Sequence, residues 1–513
     1  MTAEATLNGW FAGAVSERAD ELALIDAPNR TSIDGAGSRR LTWAELDAAV
    51  EAAATSLQEL GADPGSAVAV QLPNVAELPI LLLACFRLGA VAVPFPIQHR
   101  AHELRHGYAS ADIAVAVTAD RSDRPDSVET MTAVAAEHDG VAVALDAVAF
   151  DAVSPNGNSA RPGIEPVATA DDLATICWTS GTTGTPKGVP RTHAMWGETG
   201  RFQVEALGLT ESDRLLCPFP LVNMAGIGGM MVPWLVSRST LVLHQPLDLP
   251  VFLDQLESER ITYTVAPPPL LNMLLRDESI LADVDLSALR IITSGSAPLD
   301  PWMIQGWEAR GIEICNAFGS NEGVSMLSTR SSVPDPAQRA RLFPEPDREG
   351  VEARIIDLAT GDEIIEVGRP GELLFGGPTV FDGYLGSDGS EFVDGYFRSG
   401  DIFEWATPVD TDGPRLMRFV DRAKDIIIRG GMNISAAEVE ALVSAHPAVA
   451  ECAVVGYPDR DMGERVGVFV VPAPAVPEGP DLAGVAETMR SAEVASYKLP
   501  ERLEIIDALP RNP

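Results

Sequence analysis

The sequence contains little lysine, few cysteines and no long apolar run, and each scarcity excludes a class of protein. Its 37 basic residues include only three lysines, Lys187, Lys424 and Lys498, so each is a candidate for a role that a planar guanidinium cannot fill. The five cysteines form no CxxC pair, which argues against a disulfide framework and predicts small buried side chains in a reducing setting. The longest apolar stretch, residues 78–86, is shorter than the roughly 18 residues of a membrane helix.

Positive charge is also scarce. Asp and Glu number 74 against 37 Lys and Arg, which gives a formal net charge of −37. A surface this acidic repels nucleic-acid phosphates and anionic lipid headgroups, so neither nucleic acid nor a membrane surface is expected as a partner. The first ten residues lack the basic start and apolar core of a signal peptide, and the sequence therefore predicts a cytoplasmic protein without a membrane span.

The length and the alternation of segments predict more than one domain. A chain of 513 residues is too long for one compact core. Helical spacing at 43–60 is followed by a short buried strand at 67–72, and this alternation, typical of α/β layers, continues to about residue 300. We predict an α/β fold with a large N-terminal domain (1–423) of layered α/β subdomains plus a β-rich lobe (about 345–420), and a small α+β C-terminal domain (424–513).

The strongest local signal is the segment at 179–188, TSGTTGTPKG, which follows an apolar, strand-like run. Its glycines let the backbone turn and present N–H groups inward, its hydroxyls add donors, and Lys187 adds a positive charge, so the segment suits a triphosphate. It is not a Walker P-loop, which needs Gly-Lys followed by Ser or Thr. A polar surface loop is the alternative, but it would not explain a segment this biased that holds one of only three lysines. The predicted phosphate-binding residues are Thr179, Ser180, Gly181, Thr182, Thr183, Gly184 and Lys187.

This segment resembles the phosphate-binding loop of the adenylate-forming, or acyl-activating, superfamily. That family includes acyl-CoA synthetases, aryl acid–AMP ligases, luciferases and the adenylation domains of peptide synthetases. Five further segments resemble other motifs of the family in the same order, and the likeness runs from about residue 10 to residue 513. The resemblance is greatest to acyl-CoA synthetases, or fatty-acid–CoA ligases. It implies ATP, Mg²⁺ and CoA as cofactors and a C-terminal domain that is mobile.

The resemblance also implies roles around the nucleotide. Glu322 is implied to hold Mg²⁺ together with Thr179, since a hard cation prefers oxygen ligands. Phe318 is implied to stack near the adenine. Asn321 stands where the family usually has Thr, and an amide can still hydrogen-bond to phosphate. The implied nucleotide contacts in these motifs are Gly295, Ser296, Asn316, Ala317, Phe318 and Asn321.

Two later motifs resemble the ribose-binding and interdomain segments of the family. Asp401 is implied to accept hydrogen bonds from the ribose hydroxyls, as carboxylates do in dinucleotide sites. Arg422 is implied to contact the ribose or the α-phosphate. Lys424 occupies the hinge position about which the C-terminal domain rotates, and Gly430 and Gly431 would let the pantetheine arm of CoA pass close to the backbone. The implied catalytic residues are Lys187, Glu322, Arg422 and Lys424.

A further segment, residues 219–226, aligns with the acid-pocket motif of the family. Val222 and Asn223 stand where that motif often has an aromatic residue and a His. Gly226, Gly228, Gly229 and Met230 predict a roomy apolar wall and so favour a hydrophobic acid. An amino acid substrate is not expected, because the Phe-Asp pair that anchors the ammonium group in peptide synthetases is missing.

Three histidines, His99, His102 and His106, lie on one helical face. They could indicate a metal site, but no second cluster completes one, so a partly exposed helix face is predicted. Residues 96–103 resemble the corresponding stretch of aryl and alicyclic acid ligases, which is a mild indication about the substrate.

The resemblance implies ATP-dependent activation of a hydrophobic carboxylic acid, a fatty acid being favoured, to an acyl-adenylate and then transfer to CoA with release of AMP. An aryl or acyl acid–AMP ligase that loads an acyl carrier protein is the first alternative. A catalytically weak nucleotide-binding homologue is the second, because the chain stops at Pro513 before the family's Gly-Lys ending. A truncated C-terminal domain is the favoured explanation of that stop. A homodimer is left open.

Overall fold

The computed structural model describes residues 5–150, 164, 166–179, 186–295, 299–409, 413–423, 425–429, 432–459, 462–491 and 498–510. The chain divides into two compact units. The first contains residues 1–351 and 376–395, and the second contains residues 352–375 and 396–513.

The described chain contains helices of three kinds. A π-helix spans Met224–Met231, and short 3₁₀ helices span Leu145–Ala147 and Glu278–Leu281. The α-helices are α1 (Leu7–Arg18), α2 (Arg30–Asp34), α3 (Trp43–Glu59), α4 (Glu77–Leu88), α5 (Ala101–Ala111), α6 (Ser127–Ala136), α7 (His193–Leu207), α8 (Val232–Ser237), α9 (Leu249–Ser258), α10 (Pro268–Arg276), α11 (Pro301–Ala309), α12 (Pro336–Arg339), α13 (Ala436–Ser444) and α14 (Leu482–Ser491).

The strands are mostly short. They are β1 (Leu22–Ile25), β2 (Arg40–Thr42), β3 (Ala67–Gln71), β4 (Val91–Pro94), β5 (Ile113–Thr118), β6 (Val141–Ala144), β7 (Leu173–Thr179), β8 (Lys187–Thr192), β9 (Arg214–Cys217), β10 (Thr240–Leu243), β11 (Tyr263–Val265), β12 (Ile291–Gly295), β13 (Glu313–Gly319), β14 (Ser325–Ser328), β15 (Leu342–Pro344), β16 (Glu352–Ile356), β17 (Gly371–Gly376), β18 (Phe392–Val393), β19 (Tyr396–Trp405), β20 (Leu416–Arg422), β21 (Ile426–Arg429), β22 (Met432–Ser435), β23 (Val449–Asp459), β24 (Gly463–Pro472) and β25 (Arg502–Ile505).

The first unit contains two large, mainly parallel sheets. One has the strand order β14-β13-β12-β11-β9-β10-β1-β2 and the other has the order β6-β5-β3-β4-β7-β8. Antiparallel pairs occur only at sheet edges among these strands, at β13–β14, β1–β2 and β7–β8. The predicted α/β layers are confirmed. Loops that follow the carboxyl ends of such strands are the usual place for ligands, and the predicted nucleotide motifs follow β7, β12 and β13.

The helices of the first unit follow the sequence pattern. The predicted helix at 43–60 is α3, which begins with a capping box in which Thr42 and Glu45 satisfy each other's backbone N–H groups. The apolar run at 78–86 lies in α4, whose twelve residues are all buried. A helix that is apolar on every side belongs inside a layered core, and α4 packs on α3 and α1 there.

The strands of the second unit lie in two further sheets. Strands β20-β19-β17-β16 pair in that order, and β22-β21-β24-β23 form another sheet in which β25 pairs with β24. Ser435 is the N-cap of helix α13, and the buried Asp421 carboxylate accepts hydrogen bonds from the Ser435 hydroxyl at 2.7 Å and from the Ala437 N–H at 3.1 Å. The predicted small α+β region is confirmed, whereas the boundary after residue 423 stays a prediction.

Two composition-based expectations can be compared with the described residues. No helix in the described ranges has the length and apolar character needed to cross a bilayer. Cys85, Cys177, Cys217 and Cys315 are buried as small apolar side chains, whereas Cys452 is only partly buried.

Candidate active site

Strands β7 and β8 bring the two ends of the predicted phosphate loop together. Thr179, the last residue of β7, is the antiparallel partner of Lys187, the first residue of β8. Side chains that oppose each other in this way share one face of the sheet, so a hydroxyl and an ammonium group lie side by side where the loop begins and ends. The loop positions Ser180, Gly181, Thr182, Thr183 and Gly184 lie outside the described residues.

The next two motifs meet through backbone contact. Gly295 ends β12 and is paired with Ala317 of β13. A Cβ atom at Gly295 would lie 2.2 Å from the Ala317 carbonyl oxygen, so a residue with a side chain would push the two strand ends apart. Phe318 follows and packs its ring edge-on against Phe343, with 5.9 Å between the centroids. Ser296 lies outside the described residues.

Asn316 has a structural contact that the sequence did not indicate. Its side chain is buried, and its amide Nδ2 donates to the Arg339 carbonyl oxygen at 2.9 Å. The amide therefore holds the chain at the end of α12 against β13, and its implied role as a nucleotide contact stays a prediction.

Glu322 lies in the turn between β13 and β14 and is 8% exposed. Its Oε1 accepts a hydrogen bond from the Tyr384 hydroxyl at 2.7 Å. Burial raises the pKa of the Tyr384 hydroxyl, and the adjacent Glu322 carboxylate raises it further, so the phenol remains a donor. The ring of the same tyrosine lies under Lys187, whose Nζ is 4.4 Å from the ring centroid. Tyr384 thus joins the two charged residues implied to face the triphosphate.

Asn321 links the nucleotide motif to the acid-pocket motif. Its Oδ1 accepts from the Met224 N–H at 2.6 Å, and its Nδ2 donates to the Trp178 carbonyl oxygen at 3.3 Å. A carboxamide supplies both an acceptor and a donor for two backbone groups. These contacts differ from the implied phosphate contact and give a structural reason for Asn at this position.

Arg191 of β8 is a buried cation beside this cluster. Its guanidinium donates to the Thr379 carbonyl oxygen at 2.7 Å and to the Thr199 hydroxyl at 2.9 Å, and it stacks on the Trp196 ring at 4.1 Å. Burial lowers the pKa of Arg191 to about 9, and the Cys177 and Glu322 side chains partly oppose this decrease. Arg191 therefore remains charged at neutral pH and fixes the segment that leads to Tyr384.

The acid-pocket motif forms the start of the π-helix. Asn223 is its N-cap, because Oδ1 accepts from the N–H groups of Ala225 at 3.1 Å and Gly226 at 3.2 Å. A Cβ at Gly226 would lie 2.0 Å from the Pro220 carbonyl oxygen, and one at Gly228 would lie 2.4 Å from the Met224 sulfur. These two glycines are therefore required for close packing, whereas the roomy acid pocket stays a prediction.

The three histidines do not form a metal cluster, and only His102 and His106 lie on α5, because His99 precedes the helix. No group of three or more His, Cys, Asp or Glu side chains within the described part of the chain is arranged to hold a metal. His106 instead makes a specific contact, because its Nε2 is 2.7 Å from the Pro186 carbonyl oxygen and its ring meets the edge of Trp178. The carbonyl can only accept, so Nε2 carries a proton. His102 is exposed, and His99 and His106 are partly exposed. His106 in addition contacts the residue before Lys187.

Asp401 and Arg422 belong to the second unit. They are antiparallel partners on β19 and β20, and Arg422 Nε lies 3.5 Å from the Asp401 carboxylate. Asp401 is 8% exposed, whereas the Arg422 side chain is largely exposed. Lys424, Gly430 and Gly431 lie outside the described residues.

The residues around Glu322 suit Mg²⁺ in one respect. Mg²⁺ in nucleotide sites usually keeps several waters and binds one or two carboxylates plus substrate phosphates, without an all-protein cage. A single fixed carboxylate at Glu322, near the hydroxyl- and lysine-bearing end of the β7–β8 hairpin, matches that donor set.

Comparison with known proteins places the chain among nucleotide-dependent ligases. The family model described as "AMP-binding enzyme" matches residues 11–385, and the model "AMP-binding enzyme C-terminal domain" matches residues 438–513. A feruloyl-CoA synthase from an Amycolatopsis species is 31% identical over 494 residues, covering 94% of this chain and 93% of that protein. A medium-chain fatty-acid–CoA ligase from Escherichia coli is 29% identical over 533 residues, covering 99% and 88%.

The fold is also that of a solved relative. The structure of ATP-bound MatB from Rhodopseudomonas palustris superimposes with a TM-score of 0.80 at 28% sequence identity, covering 99% of this chain and 96% of that chain.

Proposed function

We propose that this chain, which belongs to the AMP-binding enzyme family and is an AMP-forming acid–CoA ligase, acts on a hydrophobic carboxylic acid, a fatty acid in the first instance. The observation that carries the proposal is the contact of Tyr384 with both Lys187 and Glu322. It gathers one cation and one buried carboxylate beside the β7–β8 hairpin, where a triphosphate and its metal ion would bind.

The first half-reaction joins the acid to AMP. A carboxylate oxygen attacks the α-phosphorus of ATP, the bond to the β-phosphate oxygen breaks, and pyrophosphate leaves with the electron pair. The protein forms no covalent bond and acts by positioning and by offsetting charge. Lys187 would neutralise part of the triphosphate and Glu322 with Thr179 would hold Mg²⁺, which supplies electrostatic stabilisation of the leaving pyrophosphate when bound.

The second half-reaction transfers the acyl group. The CoA thiolate attacks the acyl carbonyl carbon, the bond to the AMP oxygen breaks, and AMP leaves. We propose that Asp401 holds the ribose hydroxyls and that Arg422 holds the ribose or the α-phosphate. Lys424 as the hinge, and Gly430 with Gly431 as the passage for pantetheine, belong to the same proposal.

The acid pocket is proposed to begin at the π-helix. Val222 and Met230 in this region are buried apolar side chains, which favours an acid without a polar tail. The relatives act on both kinds of hydrophobic acid, since one is a feruloyl-CoA synthase and another a medium-chain fatty-acid–CoA ligase. An aryl acid is therefore the second candidate substrate. Transfer to a carrier protein in place of CoA, and weak nucleotide binding without turnover, are the two remaining candidate functions.

A panel of acids tests the proposal. Purified protein is mixed with ATP, Mg²⁺ and one acid from a series of linear C4–C16 fatty acids or aromatic acids such as ferulate, and AMP release is measured with and without CoA. We expect AMP release that depends on both acid and CoA, with the highest kcat/KM for a fatty acid. Higher kcat/KM for aromatic acids would select the second candidate, and no AMP release with any acid would contradict the proposed activity.

A variant serves as the control for this assay. Glu322→Gln keeps the size of the side chain and an oxygen that can accept from Tyr384, but it removes the charge that would hold Mg²⁺. We expect AMP release to fall by about 10²-fold or more, the scale of losing one charged group that stabilises the transition state. Unchanged turnover with an unchanged Mg²⁺ requirement would remove Glu322 from the site.

A further inference from the structure

We propose that Tyr384 is a positioning residue that sets the side chains of Glu322 and Lys187 in place before the metal–nucleotide complex binds. The inference rests on the proposed function only in taking ATP and Mg²⁺ as the ligands. No motif of the sequence assigns a role to Tyr384, and its side chain contacts both charged groups directly.

The two contacts use different parts of the tyrosine. Its hydroxyl donates to Glu322 Oε1 at 2.7 Å, and the face of its ring lies 4.4 Å from Lys187 Nζ. A hydrogen bond to a carboxylate fixes one oxygen of that group and leaves its charge in place. An ammonium over an aromatic face is held by electrostatic attraction. One residue therefore restrains an anion and a cation without neutralising either.

The backbone around Tyr384 is tied to both partners. The Phe381 N–H donates to the Glu322 carbonyl oxygen at 2.9 Å, and the Leu385 N–H donates to the Gly188 carbonyl oxygen at 3.0 Å. Residues 381–385 therefore run from Glu322 to the residue after Lys187. We name this stretch the 381–385 brace.

Close packing at Leu385 and at Thr379, just before the brace, makes the position of the brace specific. A Cβ at Gly188 would lie 2.7 Å from Leu385 Cδ1, and a Cβ at Gly323, next to Glu322, would lie 1.9 Å from the Thr379 carbonyl oxygen. The Tyr384 N–H also donates to Glu391 Oε1 at 3.0 Å. Because the backbone is held at each end and in the middle, the phenol has little freedom to leave the two charged groups.

Prior positioning has a measurable consequence. A free glutamate and a free lysine must each be restricted to one rotamer when ligand binds, and that restriction reduces affinity. Loss of the hydroxyl should therefore weaken mainly the contribution of Mg²⁺ to ATP affinity, because Glu322 is no longer held in place. Loss of the ring should in addition weaken the binding of ATP itself, through Lys187.

Two substitutions separate these contributions. Tyr384→Phe removes the hydroxyl and keeps the ring, whereas Tyr384→Leu removes both. Tyr108→Phe is the control, because it deletes the hydroxyl of a tyrosine outside the candidate site, a buried one whose hydroxyl contacts the Met131 sulfur at 3.8 Å. ATP affinity is measured by calorimetry without any acid, so that no turnover occurs, first in EDTA and then across a Mg²⁺ titration. Thermal unfolding of each variant confirms that it is folded.

The expected results differ for each variant. Tyr384→Phe should bind ATP in EDTA within about twofold of the wild type but should need about 10-fold more Mg²⁺ for the half-maximal gain in affinity, the scale of one hydrogen bond to a charged group. Tyr384→Leu should also lose about threefold in ATP affinity in EDTA, the scale of one partly exposed cation–π contact. Tyr108→Phe should match the wild type in both conditions.

Several outcomes would overturn the inference. A Mg²⁺ midpoint in Tyr384→Phe equal to that of the wild type would show that the hydroxyl does not position Glu322. Equal ATP affinities of the Phe and Leu variants in EDTA would remove the role of the ring, and absence of ATP binding by the wild type would remove the whole inference. Wild-type protein that binds ATP with Mg²⁺ but forms no thioester would contradict only the proposed function, because the binding assay does not depend on turnover.

Discussion

Arg191 shows how single residues near the candidate site are held. Its guanidinium is fully buried, and an unpaired buried charge would be costly. The cost is offset by hydrogen bonds to the Thr379 and Met195 carbonyl oxygens and the Thr199 hydroxyl, and by the face of Trp196. The residue joins β8 and α7 to Thr379, which is 188 positions away in sequence, and so gives the candidate site a rigid support.

His193 gives a pH-dependent prediction at the residue scale. It is fully buried, its Nδ1 accepts from the Leu7 N–H at 3.4 Å, and its ring meets the edge of Phe86. Burial lowers the pKa of His193 from 6.5 to about 4. Between pH 6.5 and pH 4 the His193 imidazole is protonated in the unfolded chain but stays neutral in the folded chain. Its contribution to the free energy of unfolding is therefore complete above pH 6.5 and is lost as the pH falls towards 4. The full loss is about 3 kcal/mol.

The test compares urea unfolding at pH 7, 6 and 5. His193→Asn keeps an acceptor near the position of Nδ1 and cannot titrate, so its free energy of unfolding should be lower at pH 7 but should decrease less on acidification. His102→Asn, at an exposed position on α5, should keep the wild-type slope. A His193→Asn slope as steep as that of the wild type would show that His193 does not contribute to acid sensitivity.

Residue identities in the site were predictable only where the local sequence is distinctive. Lys187 and Glu322 could be singled out because each stands in a short, biased, glycine-containing motif. Tyr384 and Arg191 could not, because their contacts join residues 62 to 188 positions apart in sequence. Asn223 and Asn321 were noticed as departures from a motif, but only the structure shows that their amides satisfy backbone groups.

The π-helix at Met224–Met231 gives a prediction at the scale of one element. Such a helix is wider than an α-helix and is often found at functional sites. Gly226 packs against backbone, since a Cβ there would lie 2.0 Å from the Pro220 oxygen, whereas a Cβ at Gly229 would have only the Met224 oxygen near it, at 3.9 Å. Gly226→Ala should therefore displace the element, and Gly229→Ala should be accommodated.

The two alanine variants form a matched pair. Gly226→Ala should lower the free energy of unfolding by about 1–3 kcal/mol, the usual cost of overpacking, and should raise the KM for the acid more than that for ATP. Gly229→Ala should be neutral or slightly stabilising, because alanine is the better helix former. Urea midpoints and the two KM values provide the measurement, and equal effects of the two variants would contradict the packing argument.

Elements with a strong period were predictable, whereas their association was not. The helix at 43–60 and the strand at 67–72 were expected and occur as α3 and β3, because local apolar spacing determines both of them. The β-rich texture at 345–420 was also recognised. Residues 376–395 within it nevertheless group with the first unit, because the close approaches at Gly188 and Gly323 that attach them are long-range contacts.

At the scale of the whole molecule, the layered α/β class followed from the alternation of helix and strand patterns over hundreds of residues. The division of the chain into two compact units did not follow from any local pattern. What composition did determine is the electrostatic character of the molecule, with a formal net charge of −37.

Such a charge should make stability depend on salt. Like charges repel one another in the compact state, and added ions screen the repulsion. The Debye length falls from about 30 Å at 0.01 M salt to about 10 Å at 0.1 M, so most of the benefit should come in this range. We expect the Tm to rise by several degrees between 10 and 150 mM KCl and to level off above that. The effect of screening saturates in this way, whereas stabilisation by salts that are excluded from the protein surface continues to grow with salt concentration.

A Tm series in KCl, with sucrose at matched osmolality as the uncharged control, distinguishes the two effects. A constant Tm across this range would show that the acidic side chains are already balanced locally by arginine, as the ion pairs Arg290–Asp213 and Arg429–Glu501 are.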